Sequence, residues 1–109
     1  MEIRYFHNAN GEEPVRAYIA SLQEAEQVRI GAALEDLAAN GVFRTGVELR
    51  QLEGKLWEIK VSQHRVLYVL ITGPMMVLLH AYKKQGQKAP QRELKVAKNR
   101  MKEVLSGNQ

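Results

Sequence analysis

The chain of 109 residues has no cysteine, which excludes disulfides, thiolate metal sites and cysteine nucleophiles and fits a reducing compartment. No apolar run approaches the roughly 20 residues needed to cross a bilayer. The opening residues MEIRYFHNAN lack the hydrophobic stretch of a signal peptide, so a cytoplasmic protein without membrane contact is expected. Neither a P-loop nor GxGxxG occurs, and a nucleotide or other small-molecule cofactor would lack its phosphate cradle. His7, His64 and His80 are widely spaced with no carboxylate cluster beside them, which argues against a catalytic metal. The hydroxyls Ser21, Ser62, Ser106, Thr45 and Thr72 sit in no nucleophile elbow.

Lysine is missing from the first half of the chain, and this absence is the informative one. Residues 1–54 hold five Arg and no Lys against nine Asp or Glu, a net −4; residues 55–109 hold eleven Lys or Arg against three Glu, a net +8. Such asymmetry points to a polyanionic partner, nucleic acid first and an acidic protein second, or to a basic face that is merely solvated.

What is present is organised around Leu56–Lys84. Three runs rich in β-branched and aromatic residues, Leu56–Val61, Arg65–Ile71 and Met75–Lys83, are separated only by short turns and predict an antiparallel meander. Alternation puts Trp57, Ile59 and Val61 on one face of the first strand and Leu56, Glu58 and Lys60 on the other. The expectation is a sheet with one face made for a core and one carrying cations. Glu2–Phe6 alternates weakly and could be a first strand, and Leu49–Leu52 another. Pro14 opens a short helix with Val15, Tyr18, Ile19 and Leu22 at helical spacing. A second helix starts near Ser21–Glu24, with Ile30, Ala33, Leu34, Leu37 and Ala38 on one face, and stops at Asn40-Gly41. Together these two predict a helical hairpin over the sheet. Pro90 opens a last helix with a narrow apolar stripe (Leu94, Ala97, Met101 and Val104 or Leu105), and Arg92, Lys95, Lys98, Arg100 and Lys102 fill its other faces. The tail SGNQ is expected to fray. Residues 1–109 therefore read as one α+β domain, with an N-terminal helical hairpin and a C-terminal helix packed on a small, mainly antiparallel sheet.

Cations without a metal can still cleave RNA, because RNA carries its own nucleophile in the 2′-hydroxyl. The protein must align that oxygen with the phosphorus, stabilise the charge that develops, and move two protons. Lys60, Arg65, His80, Tyr82, Lys83 and Lys84 offer suitable groups close together in sequence. Each also has a plain structural use: Arg65 as a strand-end arginine, Lys60 as edge protection, His80 as a hydrogen-bonded core histidine, Tyr68 and Tyr82 as packed aromatics with a polar tip.

The segments LWEIKV, HRVLYVL and VLLHAYKKQGQKAPQRELKVAKNRM resemble the HigB-like, phage-derived branch of the RelE/ParE toxin superfamily. The resemblance implies a RelE-like fold and the toxin of a type II toxin-antitoxin pair. Such a toxin is usually an endoribonuclease that cuts mRNA on the ribosome and is held inactive by a helix-turn-helix antitoxin protein. Carried onto this chain, the catalytic cations are Arg65 at the scissile phosphate, Lys60 beside it, and one of Lys83 and Lys84, since neighbouring strand residues face opposite ways. Arg50, Lys55, Tyr82, His80, Lys88 and Lys95 are the further RNA-binding candidates. Glu58 reads as a structural or antitoxin-facing partner for a cation. The loop KKQGQKAP departs from the commoner KKTQKTP. Two other readings stay open: a ParE-like inhibitor of DNA gyrase, and an inactive phage-derived protein that only binds nucleic acid or its antitoxin.

Overall fold

The computed structural model describes residues 1–107; Asn108 and Gln109, half of the tail expected to fray, lie outside the described residues. Three helices and a five-stranded mixed sheet are formed among them: β1 Glu2–Tyr5, α1 Pro14–Ala20, α2 Glu24–Asn40, β2 Glu48–Glu53, β3 Leu56–Val61, β4 His64–Ile71, β5 Met75–Lys83 and α3 Gln91–Leu105. The sheet order is β1-β5-β4-β3-β2. The β2, β3, β4 and β5 neighbours are antiparallel, as short hairpin connections require, whereas β1 lies parallel to β5 with Ile3 opposite Met76.

Both faces of the sheet are covered. Trp57, Ile59, Val66, Tyr68, Met76 and Leu78 pack under α1 and α2 around Val15 and Leu37. Leu56, Leu67, Val69, Val77 and Leu79 pack under α3 around Ala97 and Val104. The expected open cationic face is therefore corrected: α3 roofs most of it, and the cations are left at one end. The reason is visible in β4, whose residues His64–Val69 are all buried. A strand apolar on both sides needs a layer on each.

The helices follow the sequence signals. Pro14 occupies the first turn of α1, and Gly41, at φ 74°, ends α2 with its N–H on Leu37 O at 2.8 Å. The expected pairing of α1 with α2 as a hairpin is weaker than drawn from the pattern, because α1 packs mainly on β5 and the two helices meet only narrowly. Asp36 of α2 instead reaches the following loop, where it accepts from the Thr45 hydroxyl and from Gly46 N. In α3 the apolar stripe runs through Val104, which is buried, and leaves Leu105 outside. Arg100, expected on a solvated face, turns inward: its Nη1 donates to Leu79 O at 2.9 Å and its guanidinium lies 5.3 Å from the Phe6 ring centre.

Two local irregularities position the site. The β3–β4 hairpin turns on Ser62, whose φ of 56° is a left-handed value that costs a side-chain-bearing residue about 1–2 kcal/mol. In β5 the register slips, so that Leu67 pairs with His80 but Tyr68 with Leu78, leaving Leu79 as an extra residue. Replacing Ser62 by glycine should relieve the turn and raise stability by about 0.5–1 kcal/mol in denaturant unfolding, after the entropy lost to glycine is subtracted. A destabilised Ser62→Gly protein would show that the serine side chain, and not the turn, matters.

Candidate functional site: a cationic row across three strands

The register sets Lys60 of β3 opposite Arg65 of β4, and Arg65 opposite Tyr82 of β5. Directly paired residues on antiparallel strands share a face at about 5 Å spacing, so the three form a row about 10 Å long. The Leu79 bulge is what completes it. Counting by twos from Met76 and Leu78, which face α1 and α2, would put His80 and Tyr82 on that side as well; the extra residue reverses the phase and turns both towards α3.

Arg65 is only 7% exposed. Its Nη1 donates to Ser62 O and to His64 O, each at 3.0 Å, which fixes the guanidinium against the hairpin turn and leaves its other N–H donors without a protein acceptor among the described residues. Lys60 Nζ lies 3.0 Å from Glu48 Oε2 across to β2. Tyr82, 6% exposed, stacks on His80 with ring centres 6.1 Å apart. Burial, followed by the Glu58 carboxylate, pushes the Tyr82 phenol up, so it stays a proton-bearing donor at neutral pH.

The remaining candidates divide by position. Lys84 extends the β4–β5 ladder by one bond, its N–H reaching Gln63 O at 2.7 Å, and alternation sends it to the side of Tyr82. Lys83 pairs with His64 and so lies on the α1/α2 side, away from Arg65. Arg50 lies beside the row, opposite Glu58, and shares with Lys88 a groove of about 330 Å³ that also touches Leu94. Lys95 stands on the outer surface of α3 with Arg92, Lys98, Asn99 and Lys102. Lys55 is at the other end of β3, roughly 17 Å from Lys60 by strand rise, and does not join the row.

Residues 17–102 match the family described as "Phage derived protein Gp49-like (DUF891)". The chain belongs to that family. It is a family of RelE/HigB-like toxins, associated with the toxin-antitoxin toxins of the RelE superfamily. No curated protein matches the chain.

In this Gp49-like protein Glu58 and His80, read from the sequence as a partner for a cation and as a hydrogen-bonded or RNA-binding histidine, both lie against the row. Glu58 is fully buried, and neither carboxylate oxygen makes a hydrogen bond among the described residues; its one cationic neighbour is Arg50, with Nε 2.9 Å from Oε2. The signal for this burial was available in the alternation that grouped Glu58 with Leu56, but the covering by α3 was not. His80 is held at both nitrogens. Glu93 Oε1 lies 2.7 Å from Nε2 and Arg100 Nη1 lies 3.3 Å from Nδ1. The carboxylate only accepts, so Nε2 carries the proton and Nδ1 accepts from Arg100. Such a ring is a prop for Tyr82 and not a free proton carrier. No group of residues that could hold a metal ion occurs among the described residues, and no described helix is long and apolar enough to cross a membrane.

Two measurements test these electrostatics. Arg50→Ala leaves the Glu58 charge buried without a counter-ion and should cost about 2 kcal/mol, whereas Glu58→Gln removes the buried charge itself and should change stability by less than about 1 kcal/mol. Equal losses would mean that Glu58 is not an uncompensated ion without Arg50. For His80, burial holds the pKa below its ordinary 6.5, against the opposing pull of Glu93. The unfolded chain then binds a proton before the folded one, so this contribution to stability is present above pH 6.5 and is lost as the pH falls from there through the depressed folded value. The unfolding midpoint should decline over that window, and the His80→Gln protein should decline less.

Proposed function

We propose that the protein is the toxin of a type II toxin-antitoxin pair, a HigB-like, metal-independent endonuclease that cuts mRNA on the ribosome and so inhibits translation. The observation that supports it is the row Lys60–Arg65–Tyr82, a buried guanidinium with unused donors set between an ammonium and a phenol. In the reaction the 2′-oxygen gives up its proton to water and forms a bond to phosphorus as the bond to the 5′-oxygen breaks. This leaves a cyclic phosphate and, once Tyr82 has protonated the departing oxygen and been reprotonated from water, a free 5′-hydroxyl. Arg65 grips two phosphate oxygens in a fork, and being poorly solvated it interacts with their rising charge more strongly than an exposed arginine would. Lys60 and Lys84 neutralise neighbouring phosphates. Tyr82 supplies the proton that the departing 5′-oxygen needs. Glu58, closed to solvent beneath Arg50, acts on this site through Arg50 and not by touching RNA.

An acidic segment of a helix-turn-helix antitoxin would meet the same cations, and covering them is the simplest form of inhibition. A cytoplasmic site of action follows from a ribosomal substrate.

On induced expression the wild-type protein should arrest growth, and primer extension on a reporter mRNA should show cuts within translated codons. Arg65→Ala should lower cleavage by roughly 10²–10³-fold, the usual loss for a donor that stabilises a transition-state oxyanion. A fully toxic Arg65→Ala protein would remove the assignment, and arrest with intact mRNA and broken DNA would move the protein to the gyrase-inhibiting class.

A further inference from the structure

Outside the row, the open end of β5 carries a second built feature. β1 ends at Tyr5, and the last backbone bond on that edge runs from Phe6 N to Leu78 O at 2.8 Å. Beyond it no strand pairs with residues 80–83 on that side among the described residues. A groove of about 380 Å³ opens there, between Tyr18 of α1, Tyr82 and Lys83 of β5, and Arg92 and Glu93 of α3. Its size falls within the ~300–1,000 Å³ usual for small-ligand sites.

Tyr18 is fixed in this wall by two hydrogen bonds that the cationic row does not use. Its hydroxyl lies 2.7 Å from His64 Nδ1, and His64 Nε2 lies 2.7 Å from Glu26 Oε1 of α2. The Glu26 carboxylate can only accept, so Nε2 bears a proton, and Nδ1 shares the hydrogen bond with the Tyr18 hydroxyl. His64 itself is 2% exposed. Three elements thus hold one half-exposed aromatic ring in place, and a ring already immobilised loses little entropy when a flat partner stacks on it.

We propose that this groove is a single-nucleotide subsite for single-stranded RNA, in which Tyr18 stacks one base while Lys83 and Arg92 take the flanking phosphates. The inference rests on the RNA-cleaving reading of the row but uses different residues. Lys83 and Tyr18 lie on the α1/α2 side of the sheet, Arg65 on the other, and Tyr82 borders both the row and the groove. A strand with its scissile phosphate on Arg65 reaches the groove by passing Tyr82 round the end of β5. Glu93 stands beside this path with Oε1 bound to the His80 ring and Oε2 3.7 Å from Arg92 Nε, so an arriving phosphate competes with Glu93 for Arg92.

The test is equilibrium binding of a fluorescent single-stranded RNA hexamer with 2′-O-methyl sugars, which cannot be cleaved, alongside the mRNA cleavage assay in cells. Tyr18→Leu should weaken binding at least tenfold, as loss of a stacking platform does. Tyr18→Phe, which keeps the ring and loses only its tether, should weaken it a few-fold. Because Tyr18 also packs against the core, Lys83→Ala/Arg92→Ala, both at exposed positions, serves as the variant that leaves the fold intact, checked by thermal unfolding. It should bind at least tenfold more weakly, with a shallower salt dependence. Wild-type binding in every folded variant, or no binding by the wild type, overturns the subsite. Cleavage retained with binding unchanged in the variants removes the subsite alone; binding that depends on these residues with mRNA left intact removes the nuclease reading alone.

Discussion

Burial of β4 on both faces is the constraint from which the other features follow. Its run His64–Val69 has no side that tolerates water, so the sheet needs α1 and α2 above and α3 below. The chain supplies those layers from its two ends, and the strands between them carry few charges except where the layers stop. At that stop stand the β3–β4 turn, the end of β5 and the loop before α3. The cations collect there because it is the part of the sheet that the helices leave uncovered.

A half-covered edge of this kind changes what each charge can do. Arg65 is anchored by backbone carbonyls and keeps spare donors, so little reorganisation is needed when an anion arrives. Its neighbours Lys60 and Arg50 are each held by a carboxylate, Glu48 and Glu58. An incoming phosphate must compete with those carboxylates, and an acidic protein segment would face the same competition. Among the described residues the Glu58 oxygens have no hydrogen-bond donor, an arrangement that stability alone would not favour. It sits where a fixed negative charge can keep Arg50 in place and Tyr82 protonated.

The two histidines of β4 and β5 play parallel parts on opposite faces. His80 ties α3 to the sheet through Glu93 and Arg100, and His64 ties α1 and α2 through Tyr18 and Glu26. Each therefore fixes an aromatic ring near the end of β5, His80 by stacking on Tyr82 and His64 by hydrogen bonding to Tyr18. Membership of the Gp49-like family says nothing about which rings are held.

The sequence by itself determined the elements and the faces of β3. Strong period-two alternation, Pro14, Pro90 and Asn40-Gly41 are local signals, and local signals survive without knowledge of packing. It also determined that the excess of basic charge lies after residue 54. Only the tertiary structure decided which charges meet. The bulge at Leu79 breaks the alternation and turns Tyr82 towards Arg65, and no local pattern announces it. The parallel pairing of β1 beside β5 joins residues more than seventy positions apart. Arg100, placed by the sequence off the apolar stripe of α3, and Glu58, read as a structural or antitoxin-facing partner for a cation, are both enclosed by a helix whose docking depends on the whole sheet. Alternation is a property of the backbone and can be read along the chain, whereas a register slip and a helix docking depend on contacts that exist only once the chain has closed on itself.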